Sequence, residues 1–199
     1  MTNKVFVLAT ANLGKIHEMN RILTGLGIRV VSRKDIGIDI AVDETGTTYE
    51  ENALLKAKAI CGVSGLPSIA DDSGLEVSSL GGKPGVFSST FGGAHLDDEE
   101  RCAYLLKEME NMEQRDARFV CSIVCVNPNG GIISVQGECG GEIAYSPRGK
   151  NGFGYDPIFL PHGTGKTMAE LPPEEKNALS HRGAALRAFR ARMNNEQMW

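Results

Sequence analysis

Two hydrophobic periods run through the chain and mark out its elements. Residues 5–9 form a short apolar run closed by polar residues, which predicts a buried strand. The polar turn Thr10-Ala-Asn-Leu-Gly-Lys15 follows, then an expected helix to about Gly25 and a second strand over 28–32. Thr47 and Thr48 each stand three residues before a glutamate, Glu50 and Glu51, which is a capping-box signature. The helix after it sets Ala53, Leu54, Ala57, Ile60 and Cys61 on one face and is expected to end at Gly62 or Gly65. Residues 67–70 read as a short strand with Asp71 and Asp72 at its end, and a glycine-rich loop spans 81–93. Asp97 is placed to cap a helix whose inward positions are Cys102, Leu105, Leu106 and Met109. Residues 117–126 are apolar on both faces, the pattern of a central strand. The turn Asn127-Pro-Asn-Gly-Gly131 then brings 132–139 back as a hairpin partner. A strand over 153–160, interrupted by Pro157, precedes a last helix starting near Ser180 that packs through Ala184, Ala185, Ala188 and Phe189. This order predicts an α/β protein with a mixed sheet.

Composition narrows the class. With 199 residues, the chain suits one domain, or two lobes sharing one core. Its 21 Lys and Arg against 25 Asp and Glu give a net charge of −4, which removes a basic footprint for nucleic acid or an anionic membrane. A local pocket for a small anion stays compatible with that average. No apolar run approaches the ~18 residues of a membrane span, and the run at 5–9 is too short for a signal-peptide core. The five cysteines, Cys61, Cys102, Cys121, Cys125 and Cys139, include no C-x-x-C pair. Zinc is not expected, and the odd number reads as reduced core thiols of a cytoplasmic protein.

Four groups of residues could carry chemistry. Thr10, Asn12 and Lys15 sit between a strand and a helix, where backbone N–H groups and the positive helix end suit a phosphate; an ordinary helix start is the plainer reading. Asp71 and Asp72, with Glu44 from an earlier loop, offer carboxylates for Mg²⁺, which uses few protein ligands; a turn with a capping Asp is the alternative. Gly152-Phe-Gly-Tyr-Asp-Pro157 presents a phenylalanine with small neighbours, open to stacking on a base or else a turn with core aromatics. Lys176, His181 and Arg182 gather donors near the last helix start, where cations oppose the helix dipole unless an acceptor waits; a solvated basic turn is the alternative. Gly163-Thr-Gly-Lys-Thr167 is not a P-loop, because the earlier glycine of that motif is Leu160 here. His17, His95 and His162 are isolated.

Together these blocks change the weighing. Val7-Leu-Ala-Thr-Ala-Asn-Leu-Gly-Lys15, Asp43-Glu-Thr-Gly-Thr-Thr-Tyr-Glu-Glu-Asn-Ala53, Ala70-Asp-Asp-Ser-Gly-Leu75, Pro84-Gly-Val86, Gly152-Phe-Gly-Tyr-Asp-Pro157 and Leu179-Ser-His-Arg-Gly183 occur in one order across nearly the whole chain. In this the chain resembles the inosine triphosphate pyrophosphatase family. The resemblance implies an elongated α/β fold, a single domain over 1–199 with two lobes on a shared long mixed sheet and a substrate groove between them. It implies a cytoplasmic homodimer with no nucleic-acid or membrane partner. It also implies Mg²⁺-assisted water attack at the α-phosphate of ITP, dITP or XTP, yielding monophosphate and pyrophosphate and cleansing the nucleotide pool.

Residue by residue, Thr10, Asn12 and Lys15 match a triphosphate-binding loop. Glu44 and Asp72 match metal ligands, and Asp72 matches the proton acceptor, with Asp71 as an alternative base. Ser73 matches a substrate contact; Phe153, Gly154, Tyr155 and Asp156 match a base pocket; Lys176, His181 and Arg182 match purine-reading donors. Hypoxanthine and xanthine carry a keto oxygen at C6 where adenine carries an amine, so buried donors there would discriminate between them. One departure is Thr90, in Phe87-Ser-Ser-Thr-Phe91, where the family commonly has arginine. It lies outside the metal and phosphate motifs, so the reaction is expected to survive it. The competing expectations are a catalytically silent nucleotide sensor and a phosphatase releasing orthophosphate.

Overall fold

The computed structural model describes residues 5–195, and its backbone falls into two compact units. One comprises residues up to Asp72, 121–137 and Arg182 onward; the other comprises 73–120 and 138–181. Among the described residues six strands form a sheet in the order β2-β1-β3-β4-β5-β6. These are β1 Val5–Leu8, β2 Arg29–Ser32, β3 Ser68–Val77, β4 Asp116–Val126, β5 Ile132–Ile143 and β6 Phe159–Pro161. Strand β1 pairs parallel with β2 and β3, and β5 pairs antiparallel with β6, so the sheet is mixed as expected.

The first unit builds a core on each side of its strands. Side chains alternate along a strand, so Phe6 and Leu8 of β1, Ile69 of β3 and Cys121, Ile123 and Cys125 of β4 share one layer. Helices α1 (Leu13–Gly25) and α5 (His181–Asn195) cover it with Met19, Leu23, Leu186 and Phe189. The intervening residues Val7, Ala9, Ala70, Val124 and Val126 form the opposite layer, against Ala53, Ala57 and Ile60 of α2 (Tyr49–Ser64). Burial on both faces explains why residues 119–126 of β4 are apolar at every position but Ser122. Each large side chain so buried contributes about 1.5–3 kcal/mol. Thr48 and Glu51 close the capping box of α2, and Gly65 ends it at φ 64°.

The second unit has its own core of Leu75, Val77, Leu105, Met109, Phe119, Ile143, Ile158, Phe159 and Met168. Helix α3 (Asp98–Glu108), capped by Asp97 as expected, supplies Cys102 and Leu105. All five cysteines are buried and free. No helix among the described residues is long and apolar enough to cross a membrane.

Three expectations are corrected. Asp71 and Asp72 lie inside β3 rather than at a strand end, because Leu75 and Val77 continue its inward alternation. Residues 153–158 are not strand: Gly152 and Gly154 have φ 80° and 61°, and Pro157 cannot donate to a ladder. Asp156 consequently opens a 3-10 turn, Asp156–Ile158, instead of running extended, and only Phe159–Pro161 pairs. Lys176 does not begin the last helix. It lies in a separate short helix α4 (Pro173–Leu179), which ends at Ser180, and α5 starts at His181.

Candidate active site

The strand-to-helix turn after β1 is organised by its own polar side chains. Thr10 Oγ1 accepts the Asn12 N–H at 3.2 Å, and Asn12 Oδ1 accepts the Lys15 N–H at 3.0 Å, so Asn12 caps α1. The first turn of α1 holds no acidic residue, which leaves its positive end uncompensated by local charge. Lys15 Nζ lies 3.1 Å from Asp71 Oδ2.

The two adjacent acids of β3 go to opposite layers. Ile69 packs with α1 and α5, so Asp71, two residues on, faces that side; Ala70 packs with α2, and Asp72 faces that one. Asp71 is 0% exposed. Its Oδ2 accepts from Arg182 Nε and Nη2 at 3.2 and 3.0 Å as well as from Lys15. Burial alone would push this carboxyl up, but Lys15, Arg182 and Lys56 together hold it well below the usual range. Arg182, expected to read a base, has its guanidinium engaged by Asp71 and, through Nη1, by Glu18 at 2.5 Å.

Asp72 is 7% exposed and meets a different set. Lys56 Nζ lies 3.3 Å from Asp72 Oδ1 and 3.1 Å from Glu44 Oε2, drawing both carboxylates onto one ammonium. Asn52 Nδ2 donates to Asp72 Oδ2 at 3.4 Å, while Asn52 Oδ1 accepts the Gly46 N–H at 2.8 Å. Burial raises the proton affinity of Asp72; Lys56 and Lys15 oppose this, and Glu44 and Asp71 add to it. Burial also works against the charge of Lys56, but Asp72, Asp71 and Glu44 outweigh it and strengthen its hold on the proton. Lys56 and Asn52 escaped the sequence reading. Their signal was a lysine and an asparagine four apart on the stripe of α2 that also carries Ala53, Ala57 and Ile60.

The aromatic turn of the second unit is held by one carboxylate. Asp156 Oδ2 accepts the Phe153 N–H at 2.8 Å and the Lys176 ammonium at 2.5 Å. Lys176 Nζ lies 4.9 Å from the Phe153 ring centroid, a cation–π arrangement. A Cβ on Gly152 would run into the Asp156 carboxylate. Tyr155 is buried and donates to the Ser88 carbonyl at 2.9 Å. His181 is 6% exposed and stacks on Phe119 at 4.6 Å and 11°. Ser73 is half-buried on β3, and Thr90 is exposed, donating to the Phe87 carbonyl at 3.3 Å.

The donor set suits a hard cation. Glu44 and Asp72 converge on the Lys56 ammonium, and among the described residues no group of three or more His, Cys, Asp or Glu side chains gathers to share one ion. Carboxylate oxygens in small number fit Mg²⁺, which keeps water and substrate oxygens in its shell.

The Ham1 family model matches residues 6–192. The chain belongs to the Ham1 family. A relative from Geobacter sulfurreducens named "dITP/XTP pyrophosphatase" is 49% identical over 182 residues, covering 90% of this chain and 92% of that one. The Ham1 protein of Staphylococcus aureus superposes with a TM-score of 0.86 at 40% identity, covering 98% of this chain and all of that one (100%). A HAM1 protein from Coxiella burnetii gives 0.87 at 41% identity, covering 97% and 100%. These structures share the mixed α/β fold.

Proposed function

We propose that this chain hydrolyses non-standard purine nucleoside triphosphates of the dITP, ITP and XTP class to monophosphate and pyrophosphate. One observation carries the reading: Asp71 and Asp72 are adjacent in β3, yet each is engaged by its own cations, Lys15 and Arg182 for one and Lys56 for the other. A relative 49% identical that is named for the same activity supports it.

Thr10, Asn12 and Lys15 take the triphosphate at the open end of α1. Glu44 and Asp72 hold Mg²⁺. When bound, that ion neutralises phosphate charge and lowers the pKa of water. Asp72 accepts the proton of the water that attacks the α-phosphorus. Asp71 is the weaker candidate for that step, because its Oδ2 is already occupied by Lys15 and Arg182 and the side chain is sealed from solvent. Its role is to fix those two cations. Phe153 stacks on the purine, while Gly154, Tyr155 and Asp156 shape its pocket and Lys176 and His181 supply donors toward the C6 keto edge. Arg182 contacts the substrate from the orientation that Asp71 and Glu18 impose on it, and Ser73 adds a further contact. The working form is a cytoplasmic homodimer, and five buried thiols outside any disulfide agree with a reducing compartment.

The test is product analysis with purified protein, Mg²⁺ and a panel of ITP, XTP, dITP, GTP and ATP. Monophosphate plus pyrophosphate from ITP or XTP, well above GTP and ATP, is expected. Orthophosphate as the product, or binding of ITP without turnover, would overturn the reading.

A further inference from the structure

Helix α3 begins with a carboxylate that its own helix does not use. The cap is made by Asp97, whose Oδ1 accepts the Glu100 N–H at 2.8 Å while Glu100 accepts the Asp97 N–H at 2.9 Å. Asp98, the next residue, instead accepts the Gly154 N–H at 2.7 Å, across 56 residues of sequence. One turn further along, the Cys102 thiol donates to the Gly154 carbonyl at 3.4 Å. Residues four apart share a helix face, so one stripe of α3 holds both backbone polar groups of Gly154. Burial, with help from Asp98 and Asp156, pushes the Cys102 thiol up to about 12, so it carries its proton at neutral pH and can donate.

Gly154 needs such holding. Its φ is 61°, and a Cβ there would meet nothing within 4 Å, so glycine supplies backbone freedom here and no clearance. That freedom lies between Phe153, whose ring faces Lys176, and Tyr155, whose hydroxyl is anchored on Ser88. Asp156 fixes the turn at its Phe153 end, but no contact within the turn fixes the Gly154 N–H.

We propose that Asp98, assisted by Cys102, is a positioning residue for purine recognition: it pins the Gly154 backbone and so sets where the Phe153 ring meets the base. This rests on the proposed function, because it assumes that the aromatic turn receives the purine. It places a specificity determinant on α3, outside the motifs matched to substrate.

The test compares full-length wild type with Asp98→Ala, Asp98→Asn and Cys102→Ala. Steady-state kinetics on ITP and GTP are measured with hydrogen exchange at the Gly154 amide. Asp98→Ala should lose protection at Gly154, raise KM for ITP on the order of tenfold with kcat within about twofold, and narrow the ITP-over-GTP preference. Asp98→Asn keeps an acceptor oxygen and should restore most of each. Cys102→Ala should show the same KM-sided change at smaller size. A KM and preference unchanged in Asp98→Ala would overturn the proposal, as would equal losses in the Ala and Asn variants or a fall in kcat alone. Wild type inactive on the whole panel would instead bring down the proposed function, and this inference with it.

Discussion

Asp71 and Asp72 carry the same charge in consecutive positions, yet their substitutions should read out in different assays. Asp72→Asn removes a proton acceptor and a carboxylate from the Lys56 cluster. It should lower kcat for ITP by about 10²–10⁴-fold, the range of general-base losses, with the melting temperature nearly unchanged. Asp71→Ala leaves Lys15 and the almost fully buried Arg182 without their shared carboxylate. It should destabilise the fold by about 3–5 kcal/mol in urea denaturation, the penalty for breaking a buried pair. Similar stability for the two variants would contradict this division of labour. At this scale the sequence was partly legible. Asn12 was legible as the residue that opens α1, because a cap depends only on the next three residues. Arg182 was read as a donor to substrate or part of a solvated basic turn, since its carboxylate partners Asp71 and Glu18 lie 111 and 164 residues away.

Elements were legible where local chemistry decides them. The Thr48–Glu51 capping box, the Asp97 cap and the Asn127–Gly131 turn each depend on neighbours within five residues, and each formed where expected. Strand β3 and residues 153–158 were not, because tertiary partners decide them. The charges of Asp71 and Asp72 hid a continuing strand, and paired glycines hid a turn built on Asp156. Two consequences follow at this level. Thr48→Ala should cost about 1 kcal/mol through loss of the α2 cap, measured by chemical denaturation. Gly152→Ala must place a Cβ at φ 80° against the Asp156 carboxylate. It should displace the hold of Asp156 on Phe153 and Lys176 and raise KM for ITP severalfold; an unaltered KM would mean that the aromatic turn does not depend on Asp156.

At the scale of the molecule, the five buried thiols act together. Burial pushes Cys139 up to about 11; burial aided by nearby carboxylates takes Cys102 and Cys121 to about 12, against an ordinary value of 9.0. The folded chain therefore keeps protons that the unfolded chain releases from about pH 9. Stability from this source is intact below pH 9 and falls between pH 9 and 12. The urea midpoint should drop from pH 8 to pH 10, and alkylation of the native protein at pH 8 should be far slower than in denaturant; equal midpoints would contradict it. The family was legible at this scale because its six blocks are spread over the length of the chain, where no single one would have decided it. The pleat of β3 finally sets which changes the chain can bear in descent. Replacing one acid spoils one task. Adding or removing a single residue early in β3 turns the strand over and trades the two carboxylates between the Lys15 side and the Lys56 side. An insertion or deletion at the start of β3 should therefore abolish turnover even where it leaves both acids in the chain.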